Sequence, residues 1–334
     1  MKEIPSCALW LLMICLLLAV TSVSSDGGVN NWAVIVSTSR YWHNYRHSAN
    51  ALSFYHLCKQ NGIPDSRILL FLSDTVACNP RNLIPGTVYN NGSTSRRTNL
   101  YRCDTQVDFS GYAVNTHTFL SVVQGRFDAT QPQSRRLMSD ANSNLLVYLT
   151  GHGGEGFLKF QDTSYLYSEE IGVMFTLLFA QRMYRKALFV VETCHAESLC
   201  LAITAPNVAC IASSTVSEDS YSHHQDPDIG IDVIDTFTYN TLSQLDGVAC
   251  PPRSEQQPQQ VRVNPQHHAS ILKERSSAVY NMDLFSFFFR KHVSYRGAYR
   301  GPVNNPSLMS QWTVGEFFCD NGASIEEITL PNAL

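Results

Sequence analysis

The sequence predicts an α/β fold, a mostly parallel sheet with helices on both faces, and two observations carry that reading. Short apolar runs alternate along the chain with stretches of helical periodicity, and the runs are continuous rather than alternating in polarity. A continuous apolar strand has both faces buried, which is the condition of a parallel sheet covered by helices.

The first strand is Trp32 to Val36, a β-branched run. His47 to Gln60 follows as a helix, with Ala51, Phe54, Tyr55, Leu57 and Cys58 at helical spacing and Asn61-Gly62 as its stop. Arg67 to Leu72 reads as the next strand, Thr116 to Val123 as a helix and Leu145 to Leu149 as a buried strand. Glu169 to Tyr184 is an amphipathic helix, and Leu188 to Val191 and Val208 to Ala212 are strands. Between them, Asn79 to Asp108 is too long for an ordinary connection and reads as a functional or variable surface excursion. Four units result: a leader over 1–25, the α/β domain over 26–249, a flexible Pro/Gln-rich loop over 250–270, and a C-terminal segment over 271–334. In that last segment, Leu284 to Phe289 reads either as an element docking on the core or as a partner-binding patch.

With 334 residues and 44% apolar content the chain can bury a sizeable core. Its 24 Lys+Arg are balanced by 28 Asp+Glu without blocks of like charge, which argues against nucleic acid as a partner. At the N-terminus Lys2 precedes a 14-residue apolar run, Cys7 to Val20, that ends in small polar residues. A bilayer span needs about 20 residues, so the run reads as a secretory signal cleaved near Ser25, with a buried helix or retained anchor as the alternative. No later run is long enough to span, and the mature chain is expected to be soluble or held by partners. Asn91-Gly92-Ser93 is a glycosylation sequon in a polar stretch, with Asn91 as the acceptor.

Removing Cys7 and Cys15 with the leader leaves eight of the ten cysteines. If one is a catalytic thiol, seven remain, so at least one has no partner within the chain; it is either buried and free, as Cys200 or Cys210 near core strands would be, or bridged to another chain. The doubled histidines His223-His224 and His267-His268 lack a Cys or carboxylate at ligand spacing and read as exposed loop residues.

Reactive groups in an open parallel sheet collect at the carboxyl ends of the strands. Here the Leu145 strand runs into Thr150-Gly151-His152-Gly153-Gly154, and the Leu188 strand runs into Glu192-Thr193-Cys194-His195. A thiol with a pKa of about 8.5 needs a neighbouring base before it attacks a carbonyl, and His152 is that base. The amides of Gly153 and Cys194 are candidate oxyanion donors.

Several separate stretches now carry a resemblance: Asn31 to Val36, Asn44-Tyr45-Arg46-His47, Gly62 to Ser66, Ala77 to Asn82, and Tyr148 to Gly154 with Gly156 to Asp162. Together they resemble the legumain-like cysteine peptidases, relatives of the caspases, and within them the branch that transfers proteins to glycosylphosphatidylinositol (GPI). The match runs from about Asn31 to Asp235. The resemblance implies a caspase-like fold, Cys194 as nucleophile, His152 as general base and acid, and Asn44 as the group that orients His152. It places Arg46, His47, Glu192, Ser220 and Asp235 around the pocket for the attacked residue, although Arg46 and Glu192 would equally form a structural ion pair beneath the sheet edge. It implies a calcium site from Asp65, the Ile68 carbonyl, Gln106 and Asp108, with Gln106 replacing an acid and lowering the site's charge. It makes Cys78 the cysteine disulfide-bonded to another subunit.

Two departures stand out. The family's Asp-Thr-Cys-Gln is here Glu192-Thr193-Cys194-His195, and the sequence ends at Leu334 without the C-terminal apolar span of many members, as in the kinetoplastid type. The expected reaction is cleavage of a precursor's C-terminal attachment signal through a Cys194 thioester and transfer to the ethanolamine amine of a GPI lipid, in a multi-subunit complex at the endoplasmic reticulum membrane, with no cofactor in the chemistry. A legumain-type endopeptidase, which lets water resolve the thioester, and a catalytically silent scaffold are the alternatives.

Overall fold

The computed structural model describes residues 30–91, 98–128, 130–245, 250, 278–290, 298–300 and 311–320. The leader over 1–25, Gly92 and Ser93 of the sequon, His267-His268 and nearly all of the Pro/Gln-rich loop lie outside the described residues.

The chain enters through β1 (Asn30–Ser37) and turns through a short 3-10 segment, Trp42–Asn44, into α1 (Tyr45–Gln60). It continues through β2 (Ile68–Leu72), β3 (Phe109–Ser110), α2 (Thr116–Val123) and β4 (Ser143–Thr150). A small antiparallel sheet follows, of β5 (Gly153–Gly154), β6 (Phe157–Phe160) and β7 (Ser164–Tyr167), leading into α3 (Ser168–Ala180). Then come β8 (Lys186–Glu192), β9 (Val208–Ala212), the hairpin β10 (Ser222–Asp226) with β11 (Ile231–Asp235), α4 (Thr236–Leu245), β12 (Ala298–Arg300) and the short α5 (Gly315–Phe318).

The main sheet has the order β12-β9-β8-β4-β1-β2-β3. Six of its strands are mutually parallel and β12 closes one edge antiparallel to β9. The expected α/β class is thus the observed one. Alternate residues of the central strands feed two cores: Ile35, Tyr148 and Val190 face α1, where Phe54 stacks on Tyr148 at 4.0 Å, while Val34, Val147 and Phe189 face α2 and α3. Leu284, Phe287 and Phe288 are buried in the α1-side core together with Tyr280 and Phe318, so these three residues of the apolar run dock on their own chain, while Phe285 is exposed.

The helix expected over Glu169 to Tyr184 stops at Ala180. Arg182 adopts φ +56°, and Arg182 N–H to the Phe179 carbonyl with Met183 N–H to the Leu178 carbonyl closes the end as a Schellman motif. The small sheet, the β10–β11 hairpin, α4 and β12 are elements that the sequence reading did not contain. His223 and His224 lie on β10, half-buried and packed against the Tyr239 ring, which replaces the exposed-loop reading.

Cys200 pairs with Cys210 and Cys250 with Cys319. Neither Cys200 nor Cys210 is therefore the odd thiol: bringing the turn after Cys194 onto β9 puts them side by side. Among the described residues the free cysteines are Cys58, buried in α1, the exposed Cys78 and Cys103, and Cys194. An odd number still remains once Cys194 is set aside.

Gly172, in α3, touches the backbone of the segment between β8 and β9, where an added Cβ would lie 2.3 Å from the Ala202 carbonyl oxygen. Backbone cannot yield as a side-chain tip does. Gly172→Ala is expected to lower stability by about 1–3 kcal/mol, read as a fall in denaturation midpoint at unchanged m-value; an unshifted midpoint would contradict this packing.

Candidate active site

The site begins with strand register. β1 pairs with β4 so that Ser37 faces Thr150, and β4 pairs with β8 so that Thr150 faces Glu192. His152 and Cys194 each follow two residues beyond that last pair, on strands about 4.8 Å apart. The same carboxyl edge receives the 3-10 segment that ends at Asn44 and the loop that leaves β9 at Ala212.

Asn44 is buried, and its amide orientation is set by chemistry. Its Nδ2 donates to the Arg40 carbonyl at 2.6 Å, so Oδ1 is the atom 2.7 Å from His152 Nε2. Nε2 must then carry the hydrogen, which leaves Nδ1 unprotonated and able to take a proton. Burial lowers the His152 pKa below the usual histidine value, and the neighbouring Arg46, His43 and Lys159 lower it further. The imidazole is neutral at neutral pH.

Cys194 is half-buried at the tip of β8. Burial pushes its thiol pKa up; the Ser220 backbone amide acts against this by favouring the thiolate, while the nearby Asp219 carboxylate adds to the rise. The following His195 has φ +53° and turns away, its Nδ1 on the Val216 carbonyl and its Nε2 3.9 Å from Asp219 Oδ1. Gly153 lets the two strand tips approach: a Cβ there would lie 2.5 Å from Thr193 Oγ1. Lys159 N–H donates to the His152 carbonyl, so the neighbouring Gly153/Leu158 pair is a non-hydrogen-bonded one and the Gly153 amide lies outside the β5–β6 ladder.

The pocket residues divide. Arg46 Nε pairs with Asp235 Oδ1 at 3.0 Å, His47 Nε2 lies 3.7 Å from Asp235 Oδ2, and Asn50 Nδ2 donates to Oδ2 at 2.6 Å. The Ser220 hydroxyl meets that of Ser213 at 3.2 Å. Glu192 is the exception. It is buried behind the edge, accepting from the Tyr148 hydroxyl, from Thr238 N–H at 3.0 Å and from the Thr238 hydroxyl. An Arg46–Glu192 ion pair is therefore not what forms: Arg46 belongs to Asp235, which β11 carries to the N-terminal turn of α1. Burial raises both acids and their mutual repulsion raises Glu192 further, while Arg46 and Asn50 favour the charged form of Asp235.

Away from this edge, Asp65 accepts from the Tyr55 hydroxyl at 2.5 Å and pairs with Lys59 Nζ at 2.9 Å. Asp108 Oδ2 accepts from Leu70 N–H at 2.9 Å, and burial with the nearby Asp65 charge lifts its pKa to about 6.

Sequence reasoning missed Asp219, Asn50, Tyr148 and Thr238 as parts of this constellation. Asp219 was within reach of the strand-end rule, since Ser213 to Ser220 leaves β9 at the same edge; the others are polar residues inside apolar elements and carry no motif.

The Peptidase C13 family pattern matches residues 31–278, which is most of the chain. The chain belongs to this family. Proteins named GPI-anchor transamidase are similar to it: that of Saccharomyces cerevisiae at 47% identity over 66% of this chain, that of Schizosaccharomyces pombe at 46% over 71%, and that of Homo sapiens at 45% over 67%. The alignments cover 53%, 61% and 56% of those proteins, so this C13 chain spans little more than half the length of the curated relatives it matches. Among solved structures, caspase-1 of Spodoptera frugiperda aligns at 12% identity with a TM-score of 0.37, over 66% of this chain and 70% of that one.

Both members of this dyad rest uncharged at neutral pH, because the thiol is raised and the imidazole lowered. Alkylation of Cys194 by iodoacetamide, followed by site-resolved mass spectrometry, is expected to accelerate as pH rises through and beyond the usual thiol value of about 8.5. A rate already flat between about pH 5 and pH 8 would mean a preformed thiolate–imidazolium pair and contradict this assignment.

Proposed function

We propose that this chain is the catalytic subunit of a GPI transamidase, with a C13-type thioester as its intermediate. The observation that carries the proposal is the meeting, on one sheet edge, of Cys194 and an imidazole whose Nε2 is held by Asn44 so that Nδ1 is basic. The GPI-anchor transamidase names of its relatives select the acceptor.

In this reading His152 Nδ1 takes the thiol proton as sulfur attacks the carbonyl of the attachment residue. The amides of Gly153 and Cys194 face the developing oxyanion, each donor contributing about 3 to 4 kcal/mol. His152 then protonates the departing amine of the signal segment. Arg46, His47, Ser220 and Asp235 hold the attacked residue, with Glu192 buried behind the edge. The ethanolamine amine of a GPI lipid finally displaces Cys194, and the cargo leaves lipid-anchored.

Cys194→Ala and His152→Ala are each expected to reduce product by at least about a thousandfold while leaving the fold intact, since both side chains sit at a sheet edge. Asn44→Ala costs about a hundredfold at most, because it misplaces a base without removing it. The assay is capture of cleaved cargo by hydroxylamine in membranes carrying each variant. Cargo processed at the normal rate by either dyad variant would end this reading, and release only to water would favour a legumain-type endopeptidase.

The remaining assignments belong to the same proposal. The leader is removed on entry to the endoplasmic reticulum, Asn91 carries glycan, and partner subunits hold the chain at the membrane; among the described residues no helix is long and apolar enough to cross one. Cys78, exposed after β2, bridges to one of those partners. Non-reducing electrophoresis of the native complex should give a band that separates on reduction and disappears in Cys78→Ser but persists in Cys103→Ser; the opposite pattern would move the bridge to Cys103.

Asp65, Asp108, Gln106 and the Ile68 carbonyl suit a weak structural calcium site. Two carboxylates close enough to repel fit a divalent cation, although Lys59 already neutralises part of Asp65. Calcium should raise the thermal midpoint at neutral pH. Because the Asp108 pKa is raised to about 6, protons compete below that value and the stabilisation should fade there. A calcium effect independent of pH would place the ion elsewhere.

A further inference from the structure

The thiol of Cys194 has a neighbour to which the proposed acyl transfer gives no task. Asp219 lies on the loop leaving β9, and that loop is fastened to the nucleophile. The Glu218 carbonyl accepts from His195 N–H at 2.8 Å, which brings the next residue, Asp219, beside the nucleophile, where its carboxylate raises the Cys194 thiol pKa while the Ser220 amide lowers it. Asp219 Oδ1 also stands 3.9 Å from His195 Nε2, yet the side chain is 63% exposed and presents its charge at the mouth of the site.

For the first half-reaction this carboxylate is a hindrance, because a negative charge beside a thiol opposes formation of the thiolate. Its charge suits the second half. Once Cys194 is acylated there is no thiolate left to form, so the Asp219 charge no longer opposes the reaction when the acceptor must arrive. The acceptor is a primary amine, protonated at neutral pH. On the opposite flank the Arg46 and Lys159 charges are already paired, with Asp235 and Asp162, whereas Asp219 has no Lys or Arg partner among the described residues.

We propose that Asp219 binds the ammonium group of the acyl acceptor beside the Cys194 thioester and so favours aminolysis over hydrolysis. The inference rests on the GPI-transamidase reading and deepens it by assigning the acceptor subsite. The bound ammonium gives one proton to His152 Nδ1 and becomes nucleophilic. Its nitrogen attacks the thioester carbonyl, the C–N bond forms and the C–S bond breaks. A second proton leaves the nitrogen, so that of the two released one restores the Cys194 thiol and one passes to solvent. Thioester and ammonium become amide, thiol and a free proton. Water carries no charge for Asp219 to hold and gains less from the same group.

The experiment compares two acceptors in intact membranes carrying the whole complex: the endogenous lipid amine, and hydroxylamine, which is uncharged at neutral pH. In Asp219→Asn the ratio of lipid-anchored product to hydroxamate is expected to fall about tenfold, the effect of losing a charged hydrogen bond, with cargo released to water increasing. Asp219→Glu should restore much of the ratio. An equal loss with both acceptors would mean that Asp219 acts through the thiol or on the cargo, and an unchanged ratio would mean that it binds no acceptor; either overturns the proposal. If the unmutated complex forms neither anchored product nor hydroxamate and only hydrolyses cargo, the transamidase reading itself fails, and it does so without reference to Asp219.

Discussion

The alignment of parallel strand ends is the constraint on which the rest of this molecule depends. Ser37, Thr150 and Glu192 stand side by side across β1, β4 and β8, and Val191 stands beside Ala212 on β9. In a half-exposed sheet, register is fixed because a one-residue slip would turn apolar side chains to water. That restraint is weak here, since β4 is buried along its whole length and β1 and β8 nearly so. Polar groups at the tips supply it instead. Thr38 N–H donates to the Thr150 carbonyl, Gly151 N–H to the Glu192 carbonyl and Ser213 N–H to the Val191 carbonyl, and the Thr38 hydroxyl reaches the Lys159 carbonyl at 2.8 Å. Slipping any strand would leave several of these groups buried and unpaired, at about 1–3 kcal/mol each. The groups that set the register are thus those that border the site.

A second dependence runs from this edge into the α1-side core. Arg46, His47 and Asn50 lie on one face of the first turns of α1, at spacings of three and four residues, and all three address Asp235. Asp235 also donates its own N–H to Asn50 Oδ1, so strand β11 and helix α1 are joined through one carboxylate and one amide. The same helix begins at Asn44, which holds His152. Anything that moves β11 therefore moves His152 through α1, and Arg46 sets one positive charge against the buried Asp235 and Glu192. A fully ionised pair would leave an uncompensated charge beneath the site.

Much of this was legible in the sequence, and the reasons differ by element. The β4 and β8 runs announce themselves because each joins a continuous apolar stretch, the mark of a strand buried on both faces, to a reactive tip, Gly-His-Gly in one and Thr-Cys-His in the other. The Thr116–Val123 helix and Val208–Ala212 strand appear with the bounds expected of them. Strand β10 was illegible because its residues, Ser-His-His-Gln-Asp, are polar and form a strand through pairing with β11 and packing on Tyr239 rather than through apolar alternation. The two-residue strand Gly153–Gly154 is defined by its partner alone. Glu192 shows the limit for the site: the family resemblance implied a pocket wall, whereas Tyr148 and Thr238, distant in sequence, draw it inward. The Cys200–Cys210 pairing was hidden for the same reason, because the turn that joins them is built on tertiary contacts.

The resting state of the dyad bears on how such a site survives. A thiolate is the species that oxidises and exchanges disulfides, so a nucleophile stored as thiolate in the oxidising compartment proposed for this chain would be consumed by side reactions. Burial and Asp219 both hold Cys194 as the thiol, and burial with three nearby basic groups keeps His152 neutral. In the proposed acyl transfer, charge separation is thereby deferred until a carbonyl sits against the sulfur, when the amides of Gly153 and Cys194 would stabilise the oxyanion. Cys58 is protected by a simpler means, since its burial in α1 raises the thiol to about 12. Cys78 and Cys103 are exposed instead. The arrangement separates the cysteines by environment alone, with one thiol kept unreactive until substrate arrives.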